Sequence, residues 1–200
     1  MKVNLLSPDI YEIEDFISIE EQTNILDYCN LLDESEWWFD DGSVSDFFNG
    51  KSSIVEKLKI FEDINERIKN LFSNFHNINP MTLARHLDSH FMFPHVDWDP
   101  EYFKSVGTSM EQYLRYGLIL YYNDDYLGGA LNYPNLGIVH KPKARSLLIH
   151  GAHILHGTTK VLGPTRYFST TFVFVTKGNT VKLNKDIFKD VEQSDGYKYD

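Results

Sequence analysis

The 200 residues contain one cysteine, Cys29, so no internal disulfide can form. That usage suits a reducing compartment, and we expect the chain in the cytoplasm. Cys29 falls in an amphipathic stretch, where a free cysteine serves as a small core residue. No run of about 20 apolar residues exists, which excludes a membrane-spanning helix. The N-terminal MKVNLLSPDIYEIEDF lacks an apolar run of signal-peptide length. Positive charge is also scarce: 19 Lys and Arg stand against 29 Asp and Glu, for a net charge of −10. A general hold on nucleic acid needs a basic stripe to replace phosphate counterions, so a nucleic-acid partner is not expected. Internal repeats and low-complexity linkers are missing too. What is present is an ordinary apolar fraction, 42%, in a length that suits one domain with a sizeable core.

The pattern changes character near Pro80. Before it, helical spacing dominates. Ser18 and Glu21 have capping-box spacing, and Ile25, Leu26, Cys29 and Leu32 follow at helical intervals. A second helix is predicted over 52–72, with Ile54, Leu58, Phe61, Ile64, Ile68 and Leu71 as its apolar stripe. Residues 33–50 read as a loop or a short irregular strand. After Pro80 the chain reads as strands, at 81–87, 91–97, 114–123, 130–133, 138–141, 146–150 and 166–175. Polar and glycine turns separate them and no helix intervenes, which points to an antiparallel sandwich or jelly roll. The organisation expected is a helical support region over 1–79, a β core over 80–176 and a peripheral tail over 177–200. The tail is given one short helix at 186–191.

Within the β core, FPHVDWDP places His95 and Asp97 two residues apart. Residues i and i+2 of a strand point to one face, so an imidazole and a carboxylate converge. These are two of the three groups of the facial triad that binds non-haem Fe(II) and leaves coordination positions open. By itself the pair also fits a strand facing water. His156, in LIHGAHILHGTTKV, follows a strongly apolar strand and offers a third ligand from a distant strand. Arg166 lies ten residues further on (166 − 156 = 10), at the start of the last long strand. There it can pair bidentately with a carboxylate in a partly buried site.

Six elements in order and spacing carry a family resemblance: HVD at 95–97, LYYN at 120–123, GGALNYP at 128–134, HKPKARSLLIH at 140–150, LHGTTKV at 155–161 and GPTRYF at 163–168. From about Pro80 to Val175 the chain resembles the prolyl 4-hydroxylase-like branch of the 2-oxoglutarate/Fe(II)-dependent dioxygenases. The resemblance implies a mainly β chain with supporting N-terminal helices, built on a double-stranded β-helix of the jelly-roll, cupin-like kind. It implies that His95, Asp97 and His156 bind iron and that Arg166 takes the distal carboxylate of 2-oxoglutarate. Tyr121 is then the hydroxyl that helps to fix that carboxylate, and Thr170 reaches it too, since alternation puts 166, 168 and 170 on one face. The implied cofactors are Fe(II), 2-oxoglutarate and O₂, with ascorbate in support. The implied reaction is hydroxylation of a C–H bond, most directly in a prolyl or other residue of a protein or peptide. The same chemistry on a small molecule or nucleobase is the alternative, and a non-catalytic cupin-like binding barrel or a ligand-free sandwich are the alternatives of another class. Two departures stand out: Tyr122 sits where the family often has Leu, and His150 stands at a buried position near the end of an apolar strand. His150 is read as core-adjacent or pocket-lining and His153 as a turn residue, while His86, His90 and His140 show no metal-like spacing. The segment 98–113, with Trp98, Tyr102 and Phe103, reads either as a cover over the substrate or as a surface loop with its aromatics tucked into the core. Oligomeric state and source are not legible.

Overall fold

A long strand that is largely buried on both faces needs a layer on each side, and Gln112–Tyr121 and Arg166–Thr176 form such strands. A computed structural model of the chain describes residues 2–40, 45–48, 59–99, 101 and 112–191. Its strands in chain order are β1 (Lys2–Ser7), β2 (Ile10–Glu14), β3 (Trp37–Asp40), β4 (Ser45–Phe48), β5 (Phe72–Ser73), β6 (Asn77–Ile78), β7 (Thr82–His86), β8 (Met92–His95), β9 (Gln112–Tyr121), β10 (Leu127–Gly128), β11 (Leu131–Tyr133), β12 (Ile138–His140), β13 (Leu147–Gly151), β14 (His156–Thr158), β15 (Val161–Leu162), β16 (Arg166–Thr176) and β17 (Lys182–Leu183). The helices are α1 (Ile19–Leu31) and α2 (Lys59–Lys69).

The larger sheet runs β1-β2-β13-β9-β16-β7-β4-β3, with β6 also on β16, and the smaller runs β12-β11-β14-β8. The strand pairs of both sheets are antiparallel. One face of the larger sheet carries Leu120, Tyr122, Leu147, Ile149 and Val173, which pack with Ile25 and Cys29 of α1 and Ile64 and Ile68 of α2. The opposite face carries Tyr121, Leu148 and Phe168, which meet Leu131 and Tyr133 of the smaller sheet. Two facing antiparallel sheets with helices behind the larger make a jelly roll, as expected.

Capping fixes where α1 begins. Ser18 Oγ accepts from the Glu21 amide at 3.1 Å, and Glu21 accepts from the Ser18 amide at 2.7 Å. Glu21 also pairs with Arg67 of α2, so one carboxylate closes the first turn of α1 and ties it to the second helix. Burial drives the Cys29 thiol up to about 12, which suits an inert core residue.

Three expectations need correcting. The first 79 residues are not only helical support: they also supply β1–β6, and β2 and β4 join the larger sheet at either side. Their alternation is short and mixed with charge, so it left no strand signal beyond the irregular strand expected within 33–50. The second helix ends at Lys69, not near 72, because Phe72 and Ser73 turn into β5 to pair with β17; Ile54 and Leu58 lie outside the described residues. The helix expected at 186–191 is a set of turns whose Phe188 is buried against Tyr11, ring centroids 5.5 Å apart. Phe188, with Ile187 and Val191 packed beside it, anchors that segment to the core, and the Asn184 side chain caps its first turn by accepting from the Asp186 amide. Among the described residues no helix is long and apolar enough to cross a membrane.

Candidate metal centre and anion pocket

Strand register brings the two imidazoles together. In the β8–β14 pair, His156 stands directly opposite His95, and their rings lie 4.5 Å apart, centroid to centroid. Each ring is oriented in the same way: His95 Nδ1 lies 2.9 Å from the Phe93 carbonyl and His156 Nδ1 lies 2.9 Å from the Ile154 carbonyl. A carbonyl only accepts, so both Nδ1 atoms carry the proton and both Nε2 lone pairs are free for a metal. Asp97 sits two residues past the end of β8. The chain there is held down by the Trp98 amide on the Ala152 carbonyl and by the Ala152 amide on the Arg115 carbonyl, each at 3.0 Å. Asp97 Oδ1 lies 3.6 Å from His95 Nε2 and 3.8 Å from His156 Nε2. One ligand atom from each of the three residues lies within 4.8 Å of the others.

The charge states suit a cation. Burial alone would raise the Asp97 carboxyl, but His150 and His95 beside it outweigh burial and hold it well below the usual carboxylate range. Burial lowers His156 to about 3, with the neighbouring His150 adding to the effect. It is therefore neutral near pH 7, as a ligand must be. The Asp97 contact raises His95.

The same cavity, about 460 Å³, runs from these residues to Arg166. Arg166 opens β16 opposite His86 of β7, and Phe168 stands opposite Tyr121 of β9. Its guanidinium, 1% exposed, donates to Tyr121 Oη at 3.1 Å and to His86 Nδ1 at 2.8 Å, and lies 4.6 Å over the Phe168 ring. Those partners are neutral. Burial and Arg166 together lower His86 well below the ordinary histidine range, so its Nδ1 accepts. Burial raises the Tyr121 phenol, which keeps its proton. Lys141 adds a second cation close by; burial and Arg166 lower it. A buried cation met by dipoles and no protein carboxylate among the described residues is a site prepared for an anion.

The six residues singled out from sequence thus meet around one cavity. His95, Asp97, His156, Arg166 and Thr170 line it, and Tyr121 supplies the hydroxyl on Arg166. His150 lines it as well, and His153 lies in the β13–β14 turn. Trp98 is buried, with its ring 6.1 Å from Tyr113; Tyr102 and Phe103 fall outside the described residues. Tyr122 faces the helices and donates to Ser169 Oγ at 2.7 Å. Sequence reasoning missed His86, whose only signal is its register opposite Arg166. It also missed what Asn123 does. That carboxamide accepts from the Tyr167 amide and donates to the Thr165 carbonyl, each at 2.8 Å, and so clamps the backbone on both sides of Arg166.

These shifts give a pH dependence for the metal-free chain. His86 and His156, lowered, stay unprotonated in the folded chain where unfolded histidines, near 6.5, take up protons. Their contribution is lost as pH falls below that value. His95, raised, acts in the opposite sense: its contribution is complete below 6.5 and lost as pH rises through its folded value. Asp97 contributes above the unfolded value of 3.8 and plays no part between pH 7 and 5. His153, lowered mainly by burial, acts with His86 and His156, and His95 gives no offset below 6.5, so the unfolded chain binds more protons as pH falls, each net proton being worth about 1.4 kcal/mol per pH unit. We expect the thermal midpoint to fall between pH 7 and 5 and the slope to flatten in His86→Gln; a rising midpoint would contradict the assignment.

Solved structures share this fold. The viral collagen prolyl hydroxylase of Paramecium bursaria Chlorella virus-1, in complex with 2-oxoglutarate, superposes with a TM-score of 0.56 at 16% identity, covering 85% of this chain and 98% of that one. The Pseudomonas putida prolyl-4-hydroxylase gives 0.61 at 15%, covering 86% and 95%. A Trichoplax adhaerens prolyl hydroxylase, in complex with a hypoxia-inducible-factor peptide, gives 0.65 at 14%, covering 84% of each. No protein-family profile and no curated protein sequence matches the chain.

Proposed function

We propose that this chain is an iron(II)- and 2-oxoglutarate-dependent oxygenase that hydroxylates a C–H bond of a prolyl or other residue in a protein or peptide. The observation that carries the reading is one cavity holding both a His95–Asp97–His156 cluster and the buried, anion-seeking guanidinium of Arg166. Two imidazoles and one carboxylate are the donor set of a facial triad, which leaves positions open for a bidentate cosubstrate and O₂. The residues present therefore fit the metal. When bound, iron(II) with 2-oxoglutarate and O₂ supplies an oxidative decarboxylation that gives succinate and CO₂ and places one oxygen atom on the substrate carbon.

The chain's own side chains bind, orient and exclude water. His95, Asp97 and His156 hold the metal through Nε2, Oδ1 and Nε2. Arg166, with Tyr121 and Thr170, takes the distal carboxylate of 2-oxoglutarate, which neutralises the buried guanidinium. His86 and Asn123 keep that guanidinium aimed. Met92, Phe93, Ile119, Leu131 and Phe172 give the cavity an apolar wall, suited to a hydrocarbon target such as a prolyl ring. A peptide substrate is supported by the resemblance and by the Trichoplax neighbour bound to a peptide; the net charge of −10 disfavours nucleic acid.

The test is succinate formation from 2-oxoglutarate with Fe(II) and ascorbate, alone and with proline-containing peptides. We expect slow turnover without substrate, stimulation by a substrate peptide and abolition by a chelator. A chain that binds metal but makes no succinate under any of these conditions is a cupin-like binding barrel, and the proposal fails.

A further inference from the structure

His150 is the buried imidazole that the triad leaves out, and its surroundings are built for it. It lies next to last in the apolar strand β13, is 1% exposed, and stands directly opposite Gly117 of β9. The glycine is what gives the ring its place. A Cβ at 117 would run into Asp97 Oδ2 and lie 2.6 Å from His150 Nε2, closer than a non-bonded carbon approaches. The space left by the absent side chain is filled by the His150–Asp97 contact, with Nε2 and Oδ2 3.3 Å apart. On the other side of the ring, Nδ1 meets the Tyr133 hydroxyl at 3.2 Å. A run of polar atoms thus links the smaller sheet to the carboxylate: Tyr133 on β11, His150 on β13, then Asp97 beyond β8.

The three metal-ligating candidates are not equally well held. His95 and His156 each have a backbone carbonyl on Nδ1. Asp97 stands past a strand end, and its Oδ2 is buried without a hydrogen bond of ordinary geometry. The group facing that oxygen is His150 Nε2. Oδ1 is the atom turned to the two histidines, so the carboxylate offers one oxygen to a cation and has one left to be held.

We propose that His150 is a positioning residue: it holds Asp97 Oδ2, backed by the Tyr133 hydroxyl, so that Asp97 presents Oδ1 alone to the metal. A carboxylate only accepts, so Nε2 carries the proton toward Oδ2 and Nδ1 accepts from Tyr133. Partners of this kind orient ligands, and their loss typically lowers metal affinity 10- to 100-fold. The inference rests on the proposed metal site and concerns a residue outside the triad.

The test is cobalt(II) titration of chelator-treated protein, without 2-oxoglutarate, followed by the visible bands of the bound ion. Wild type is compared with His150→Phe, His150→Gln and Tyr133→Phe. We expect His150→Phe to bind cobalt about 10- to 100-fold more weakly. We expect His150→Gln, whose carboxamide still donates, to recover most of that loss with the wild-type band pattern, and Tyr133→Phe to lose a smaller part. Wild-type affinity in His150→Phe overturns the inference and leaves the proposed function standing. No cobalt binding by wild type removes the metal site itself. A changed band pattern in His150→Gln makes His150 a ligand, which also overturns the positioning role. If His150→Phe does not fold, Tyr133→Phe decides, because it removes a single hydroxyl: unchanged affinity there is the overturning result.

Discussion

Asp97→Ala is expected to leave a folded chain that neither gains stability from metal nor converts 2-oxoglutarate to succinate. Asp97 supplies the single carboxylate of the cluster, and its Oδ1 lies within 4 Å of both His95 Nε2 and His156 Nε2. Without it two neutral imidazoles face a divalent cation, and the donor set falls one short of a triad. The fold should tolerate the change, because Asp97 lies past the end of β8 and the neighbouring backbone is held by the Trp98–Ala152 and Ala152–Arg115 hydrogen bonds. For wild type, metal at one hundred times its dissociation constant adds about 2.7 kcal/mol. In a chain of this length that is roughly 5–10 °C in thermal midpoint. The variant should show none of it. Thermal melts with and without Mn(II), alongside the succinate assay, check both halves. Turnover that survives in Asp97→Ala would mean that the ligand set is wrong.

Arg166→Ala should have a different signature, with metal binding kept and 2-oxoglutarate affinity lost. The guanidinium is buried and its partners are Tyr121, His86 and the Phe168 ring, none of them a carboxylate. In the proposed complex the counter-charge comes from the cosubstrate. Removing one partner of a buried, hydrogen-bonded charge pair costs about 2–5 kcal/mol. Taking about 3 kcal/mol as representative, the KM for 2-oxoglutarate rises roughly a hundredfold, while the cobalt titration stays as in wild type. Arg166→Lys keeps a point charge but loses the planar fork, and should fall between the two. Steady-state kinetics in 2-oxoglutarate with metal saturating is the measurement. An unchanged KM in Arg166→Ala would move the cosubstrate carboxylate elsewhere in the cavity.

The separation of these effects follows from the architecture. The metal cluster is set by the register of β8 against β14, whereas the anion pocket is set by the register of β16 against β7 and β9. Different strand pairs hold the two halves, so a substitution in one need not disturb the other.

Much of this is legible in the amino-acid order. The capping box at Ser18, the long apolar runs at β9 and β16 and the order of the six motifs are local patterns, and local patterns survive in one dimension. His95, Asp97, His156 and Arg166 can be read because the chemistry needs particular residue types at particular spacings. The contribution of β1–β6 is not legible in that way. Short strands that pair with partners far along the chain carry little periodicity of their own, and the β1–β2 hairpin is joined to the sheet through the pairing of β2 with β13. His86 gives no sign of its contact, since its only relation to Arg166 is to stand opposite it across 80 residues of chain.

By itself, then, the sequence determined an antiparallel β core with two supporting helices, an acidic chain without disulfide or membrane helix, and four residues of matching chemistry. Tertiary structure alone decided which groups surround them. It put His150 over Gly117, Asn123 on either side of Arg166, and neutral dipoles where a protein carboxylate could have stood. The reason is that spacing along a strand tells which face a side chain takes, while the identity of the atom it meets depends on the register of another strand, and only the folded chain sets that register.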